Sequence, residues 1–575
     1  MTPRSPQDTP APGWLRRAPA AVVALVLSAS VGCEAPARVK PWRHAPDPVG
    51  AAATAPSVSP VAGGGTGSAI LAARPHTLRV AISAEPKGLN PLLDASLWTR
   101  RIMVGTVFEP LLRHEPDPAR PDGPGRYAPR LARSWKISGN GLDLLLELEP
   151  GATWHDGRAV TSVDAQFTLD LVRSPSGPAP HYRALLSDIE VVELVGPRAL
   201  RIRMYRPNVW MLRALAELPM IPAHVYERGL AAGGALVGSG PYRYVGWKDG
   251  VVRLTAHAKH HRGAPAIRDL ELVYDSDAAI ILTAAKRGEI DIVPELIPAH
   301  WPEQASAPGF ASTFTALELR PPRLRALLFD AGAPPLDDAR VRRALSLLID
   351  RRGLAKDVYD GLAEPVASVA WPGGPLDAPA LPVPAFDPQA AGLLLDQAGW
   401  TDSDGDGVRD QAGKPMRLDV LVVEREHGGD RPGRVPERDR VLDAFKRVGI
   451  GLDVRVGSEA VIDNRLVSGE FDLAFVELGG MVDMDLAPWF ATGGRLNASR
   501  LVSRRIDRAL EALGAAWDPA QRRLVAGELA AAIDEAMPLA AIVAEAPQGL
   551  VHQRVQGVVV WDGWIDLTRL SLAPP

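Results

Sequence analysis

From Thr77 to the C-terminus, runs that alternate with period two are interleaved with capped helix patterns. This interleaving constrains the fold more than any other feature, because it demands an α/β chain. Thr77–Ile82 alternates as a strand, and Leu142–Leu148, Leu327–Phe329, Arg417–Val423, Gly451–Val456 and Phe471–Val476 read likewise. Thr161, with Asp164 three residues on, caps a helix in which Val163, Phe167 and Leu171 share a face. Asp277 caps another, carrying Ala278, Ile281 and Ala285 and closing at Gly288. After Asp337-Asp338, Val341, Ala344, Leu345, Leu348 and Ile349 form a clean apolar stripe, which predicts Arg342 and Arg343 on the wet flank. Asp387-Pro388 opens a helix that ends near Gly399 and buries Ala391, Leu394, Leu395 and Ala398. Helices are also expected over Leu442–Val448 and around Ile506–Leu513 and Gln521–Met537.

At 575 residues the chain can bury more than one core. A net charge of −4 and the lack of any Lys/Arg-rich run exclude a nucleic-acid footprint. Residues 1–32 read as an export signal, with Arg16 and Arg17 before the short apolar run Ala18–Ala29. Ser30-Val31-Gly32-Cys33 follows and resembles a bacterial lipobox, although Ser30 stands where Leu is usual. Cys33 is the only cysteine, so an internal disulfide is excluded and Cys33 is the expected lipid attachment site. Residues 33–75 then hold the anchor and a Pro/Gly/Ser-rich linker, whose coil would reach on the order of 35 Å.

No nucleophile elbow, HExxH or Cys-His cluster is present, so neither a catalytic constellation nor a cofactor is expected. His155-Asp156 fits a turn better than a catalytic pair. Gly238-Ser239-Gly240 lacks the Lys-Ser/Thr of a phosphate loop and predicts tight backbone packing instead. His257, His260 and His261 crowd together, but no further ligand is identifiable near them, so no metal site is predicted. Asp402-Ser403-Asp404-Gly405-Asp406-Gly407 begins like a calcium loop, yet its twelfth position is Gly413, where a Glu is needed. Asp410 at the ninth position could substitute weakly, and an acidic turn is the simpler reading.

Several segments together resemble one family. They are Pro86–Pro91, Val107–Leu112 ("YEPL"), Ala128–Trp135 ("P-x-LA-x-SW"), Trp154–Asp164, Gly238–Trp247, Gly288–Val293 ("GE-x-D-I-V"), Pro335–Leu345, Asp387–Trp400 and Phe471–Val476 ("YDLAL"). In this order they resemble the large peptide-type extracellular solute-binding proteins, family 5, which feed ABC importers. The loop with His257, His260 and His261 resembles that family's "NPDYWRGKP".

The resemblance implies a two-lobed periplasmic-binding-protein fold with an additional domain. The expected first lobe is 76–106, 225–322 and 541–575, the additional domain 107–224, and the second lobe 323–540. The implied function is capture of a peptide or similar solute between the lobes and delivery to permease subunits, by a monomer held to the membrane by its lipid. In similar peptide binders an Asp in the loop after the "YDLAL" strand pairs with the ligand's ammonium group. Gly479, Gly480, Met481, Asp483 and Asp485 occupy that loop; Met481 stands near the expected Asp, and Asp483 matches a second family acid. Asp483 and Asp485 as solvated loop acids is the competing reading. Trp98 and Trp371 are candidate pocket walls, with plain core as the alternative. Two rival functions remain open: an exported hydrolase using Asp/Glu acid–base chemistry, and a sensing or scavenging lipoprotein without a permease.

Overall fold

The computed structural model describes residues 73–573 except 95, 121–122, 231–235, 298–299, 302–303, 306, 321, 372–373, 375, 425–435 and 480–483. The export signal, Cys33 and nearly all of the linker therefore lie outside the described residues.

Three sheets organise the fold. The first has seven strands in the order Phe314–Glu318, Gln548–His552, Ile292–Val293, Thr77–Ile82, Asp269–Tyr274, Val251–Ala256 and Tyr242–Lys248. The second has six: Ala363–Pro365, Leu539–Glu545, Arg323–Phe329, Leu473–Leu478, Arg417–Val423 and Gly451–Gly457. The third, an antiparallel sheet of four, belongs to the additional domain and runs Ala132–Ile137, Asp143–Leu148, Ala199–Met204, Ile189–Gly196.

The cores link these parts, and one of them joins the additional domain to the second lobe through Val209, Trp210, Leu324 and Leu486. The first lobe and the additional domain share one continuous core, running from Leu78 and Val80 through Phe108 and Leu111 to Leu144 and Leu146. The second sheet packs its helices around a separate core that includes Phe329, Leu345, Leu418 and Phe445. Close packing makes each core a rigid unit.

The chain passes between the first and second sheets twice. One crossing joins Glu318 to Arg323, and the other joins Glu545 to Gln548 through Ala546 and Pro547. They lie side by side and antiparallel: Glu318 pairs with Gln548, Arg323 pairs with Glu545, and Leu319 N donates to Pro547 O at 2.9 Å. The boundary expected after residue 540 falls inside the strand Leu539–Glu545; the chain leaves the second sheet only at Ala546.

Local chemistry explains the elements. Thr161 and Asp164 form a reciprocal capping box, and the side chains of Asp277, Asp338 and Asp387 each accept a first-turn amide. Val163 nonetheless points outward; that helix buries Ala165, Thr168, Leu169 and Val172. Arg342 also corrects the sequence reading. It is buried, not wet, and its guanidinium donates to the carbonyls of Ala536 and Met537, at the end of the helix Pro519–Ala536, as well as to Leu336 and Asp337. Helix ends leave carbonyls without partners, and one arginine can serve several at once. Gly288–Val293 gives only a two-residue strand, Ile292–Val293.

Gly238 and Gly240 lie flat against the segment that enters the additional domain. A Cβ on Gly238 would sit 1.8 Å from Val107 O, and one on Gly240 2.1 Å from Thr106 O. Only glycine permits that approach.

Candidate functional site

The two crossings carry a wall of charge. Arg323 and Arg325 are two apart on one strand, so they share a face. Arg325 lies opposite Glu477 in the ladder, and Arg323 opposite Glu545. Arg325 reaches both carboxylates, with Nη1 3.6 Å from Glu477 Oε2 and Nη2 3.4 Å from Glu545 Oε2. Burial works against that charge, but Tyr359, Glu477 and Glu545 outweigh it and hold the guanidinium above its ordinary value. Arg323 lies 3.6 Å from Glu477 and also reaches the first lobe, where it pairs with Glu295 at 3.0 Å. Tyr359 adds a hydrogen bond to Glu437 at the edge of the group.

Arg101, on the helix Leu97–Met103, stands close enough to feel Glu295 and Arg323. Its guanidinium lies over two indole rings, 5.1 Å from the centre of Trp98 and 5.0 Å from that of Trp564. Nη2 donates to Gly563 O at 2.6 Å. No carboxylate pairs with it among the described residues, and burial brings it down to about 10. It stays charged at neutral pH.

The residues singled out from sequence fall into two groups. Trp98 is 5% exposed, donates to Ser83 Oγ at 3.2 Å and meets Trp564 edge to face. Gly479 follows the strand Leu473–Leu478, and a Cβ there would touch the Arg323 side chain. Both thus belong with the charged wall. Trp371 and Asp485 lie elsewhere, where the second lobe meets the additional domain. Trp371 is buried in a cluster with Trp210, Leu486 and Phe490, and its indole N–H finds no acceptor among the described residues. Asp485 accepts the Ala487 amide, and burial raises its carboxyl despite that bond and nearby Arg206. Around them Val209 N donates to Gly514 O, Arg522 covers the Trp210 ring and Arg120 pairs with Asp377. Gly480, Met481 and Asp483 lie outside the described residues.

Arg101, Glu295, Arg323, Arg325, Glu477 and Glu545 were not singled out from sequence. Arg-Leu-Arg at 323–325 carried the one available signal, because charges with period two on a strand share a face.

Other candidates resolve as follows. His155 is a turn residue, with Nε2 2.9 Å from Gly240 O and Nδ1 accepting Gly238 N. Asp402, Asp404 and Asp406 converge on an exposed turn, where their carboxylates accept loop amides, and Asp410 accepts from Ser403. The histidine cluster gains what the sequence did not reveal: Glu109, 151 residues away, lies against His260.

The family described as bacterial extracellular solute-binding proteins, family 5, matches residues 126–495. A putative ABC transporter peptide-binding protein of Brucella ovis is 29% identical over 325 residues, 55% of this chain and only 58% of that relative's length. A probable di/tripeptide-binding protein of Pseudomonas aeruginosa is 26% identical, covering 86% of this chain and 95% of the relative. The solved structure of HbpA2 from Haemophilus parasuis superposes with a TM-score of 0.74 at 19% identity, over 86% of this chain and all of that one. The fold is therefore the two-lobed, large peptide-binding type with its additional domain. On these grounds the chain belongs to the bacterial extracellular solute-binding proteins of family 5.

Proposed function

We propose that this protein is the substrate-binding lipoprotein of an ABC importer. It captures a peptide or similar solute between its lobes and hands it to permease subunits in the membrane. Its work is binding, not catalysis. One observation carries the reading: the lobes are joined by two hydrogen-bonded crossings, with a wall of both charge signs beside them. A solute that touches both lobes favours the closed arrangement, and a permease reads that arrangement. The names of the Brucella and Pseudomonas relatives support peptides as the solute class.

A peptide carries an ammonium and a carboxylate. Arg101, held by two indoles with no carboxylate partner among the described residues, suits the carboxylate. The loop 479–485 is assigned to the other end, with Trp371 as a pocket wall whose N–H awaits an acceptor. Calorimetry with di- and tripeptides tests this. Binding should weaken at least about tenfold when the C-terminal carboxylate is amidated, and the difference should vanish in Arg101→Gln. An equal loss on amidation in Arg101→Gln removes Arg101 from the site. Turnover of any peptide by the pure protein overturns the binding-only reading.

A further inference from the structure

Where the first lobe meets the additional domain, Glu109, His260 and His261 bury three donor groups together. Glu109 follows Phe108 at the entrance to the additional domain; the histidines follow the strand Val251–Ala256. The three donor atoms lie within 4.8 Å of one another. Their side chains are 0%, 3% and 1% exposed.

Their hydrogen bonds do not close. Glu109 Oε1 is engaged by Arg130 Nε at 2.7 Å, but among the described residues Oε2 has no hydrogen-bond partner. Neither ring nitrogen of His261 has one, although Nδ1 lies 3.9 Å from Glu109 Oε2. Burying a polar atom without a partner is costly, so three in one place require a reason.

His260 sharpens the point. Its Nδ1 lies 3.3 Å from the Gly263 carbonyl, which can only accept, so a hydrogen bond there puts the hydrogen on Nδ1. In a neutral ring Nε2 is then a bare lone pair, 3.2 Å from Glu109 Oε1. In that tautomer two lone pairs face each other, and a metal ion or a proton between them removes the conflict. A histidine that donates one nitrogen to a backbone carbonyl and aims the other at a carboxylate is arranged as metal-binding histidines are.

We propose that Glu109, His260 and His261 hold a divalent transition-metal ion of the zinc class. Two imidazoles and a carboxylate suit such an ion, at about 2.0–2.2 Å from each donor, and small side-chain rotations would close the donors onto it. His257 is the nearest further donor; its Nδ1 is buried and unpartnered, and its ring centre lies 6.3 Å from that of His260. The ion would fasten the loop 257–263 of the first lobe to the first segment of the additional domain. It is a resident of the fold, independent of any solute. The competing arrangement is an imidazolium at His260, sharing Glu109 with Arg130, and it binds no metal.

The test uses the untagged full chain, stripped with chelator and titrated with zinc by calorimetry, with metal content read by elemental mass spectrometry. The expected result is one zinc per chain, a higher melting midpoint with zinc, and visible ligand-field absorption when cobalt replaces it. His261→Phe keeps the volume and removes both donors; it should weaken zinc binding at least about tenfold. If that variant does not fold by circular dichroism, His261→Asn replaces it. Asp404→Asn, in the exposed acidic turn, should leave the stoichiometry unchanged. The site is overturned if the wild type takes up no zinc, if the folded His261 variant binds it as tightly as wild type, or if Asp404→Asn abolishes uptake.

Discussion

Arg323 of the second lobe grips Glu295 of the first at two points, with Nη1 3.0 Å from Oε1 and Nη2 3.1 Å from Oε2. Arg323 ends one of the two crossings, so the pair ties the lobes where they join. Both side chains are 30% exposed, so solvent moderates the interaction. Arg323→Ala should cost about 1–2 kcal/mol. The check is a lower urea midpoint at unchanged slope. Glu295→Ala in the same chain should recover part of the loss, and additive losses would show that the two residues do not interact.

The loop 479–485 should contact solute, and Met481 should weaken selection for a free ammonium group. A thioether packs but brings no negative charge to a buried cation. N-acetylation of a bound peptide should therefore cost little, and any cost should depend on Asp483. Calorimetry with the acetylated peptide, repeated in Asp483→Asn, decides it. A large acetylation loss that Asp483→Asn leaves untouched would place the ammonium against another acid.

Cys33 should carry the lipid. Cys33→Ser should move the protein from the membrane fraction to the soluble one. A wild-type protein already soluble and cleaved elsewhere would end the lipoprotein proposal.

His155 should make the fold acid-sensitive. Burial lowers its pKa to about 4, against the Gly240 carbonyl and with help from His257 and Arg243. The unfolded chain takes up this proton near the ordinary 6.5. The neutral folded ring therefore contributes fully above pH 6.5, and the contribution is lost as pH falls from 6.5 to 4. The full span is on the order of 3 kcal/mol. Urea unfolding across that window should show stability falling by about one proton's slope, and His155→Gln should remove that increment. An identical slope in the variant would assign the effect to another group.

Gly238→Ala should destabilise by about 1–3 kcal/mol, because its Cβ would strike the Val107 carbonyl. Gly196→Ala is the control: its Cβ meets nothing within 4 Å, and its effect should stay within about 0.5 kcal/mol. Equal effects at both positions would mean that the backbone approach at Gly238 is not what demands glycine.

What the sequence displays well is whatever repeats or caps locally. The capping box at Thr161 and the strand Arg417–Val423 were legible because their signals span a few residues. Arg342 was misread because an apolar stripe says where the core lies but not that a charged neighbour reaches a helix end nearly two hundred residues on. The charged wall was hidden for the same reason. Arg101 meets Trp564 and Arg323 meets Glu295 only after three sheets are assembled. Glu109 and the histidines are likewise brought together by folding alone. Trp98 was offered as an aromatic wall and the loop at 479–485 from the family resemblance; Trp98 lies under the Arg101 guanidinium, and residues 480–483 fall outside the described residues.

The strand Gln548–His552 is inserted inside the first sheet, between Phe314–Glu318 and Ile292–Val293, and Leu539–Glu545 is inserted inside the second. Each follows every other strand of its own sheet in chain order. Until they are made, each lobe has a slot where a strand should be, and partners from the front of the chain must wait for it. Each sheet is therefore completed by contacts between segments far apart in the chain, the kind whose loop closure is slow.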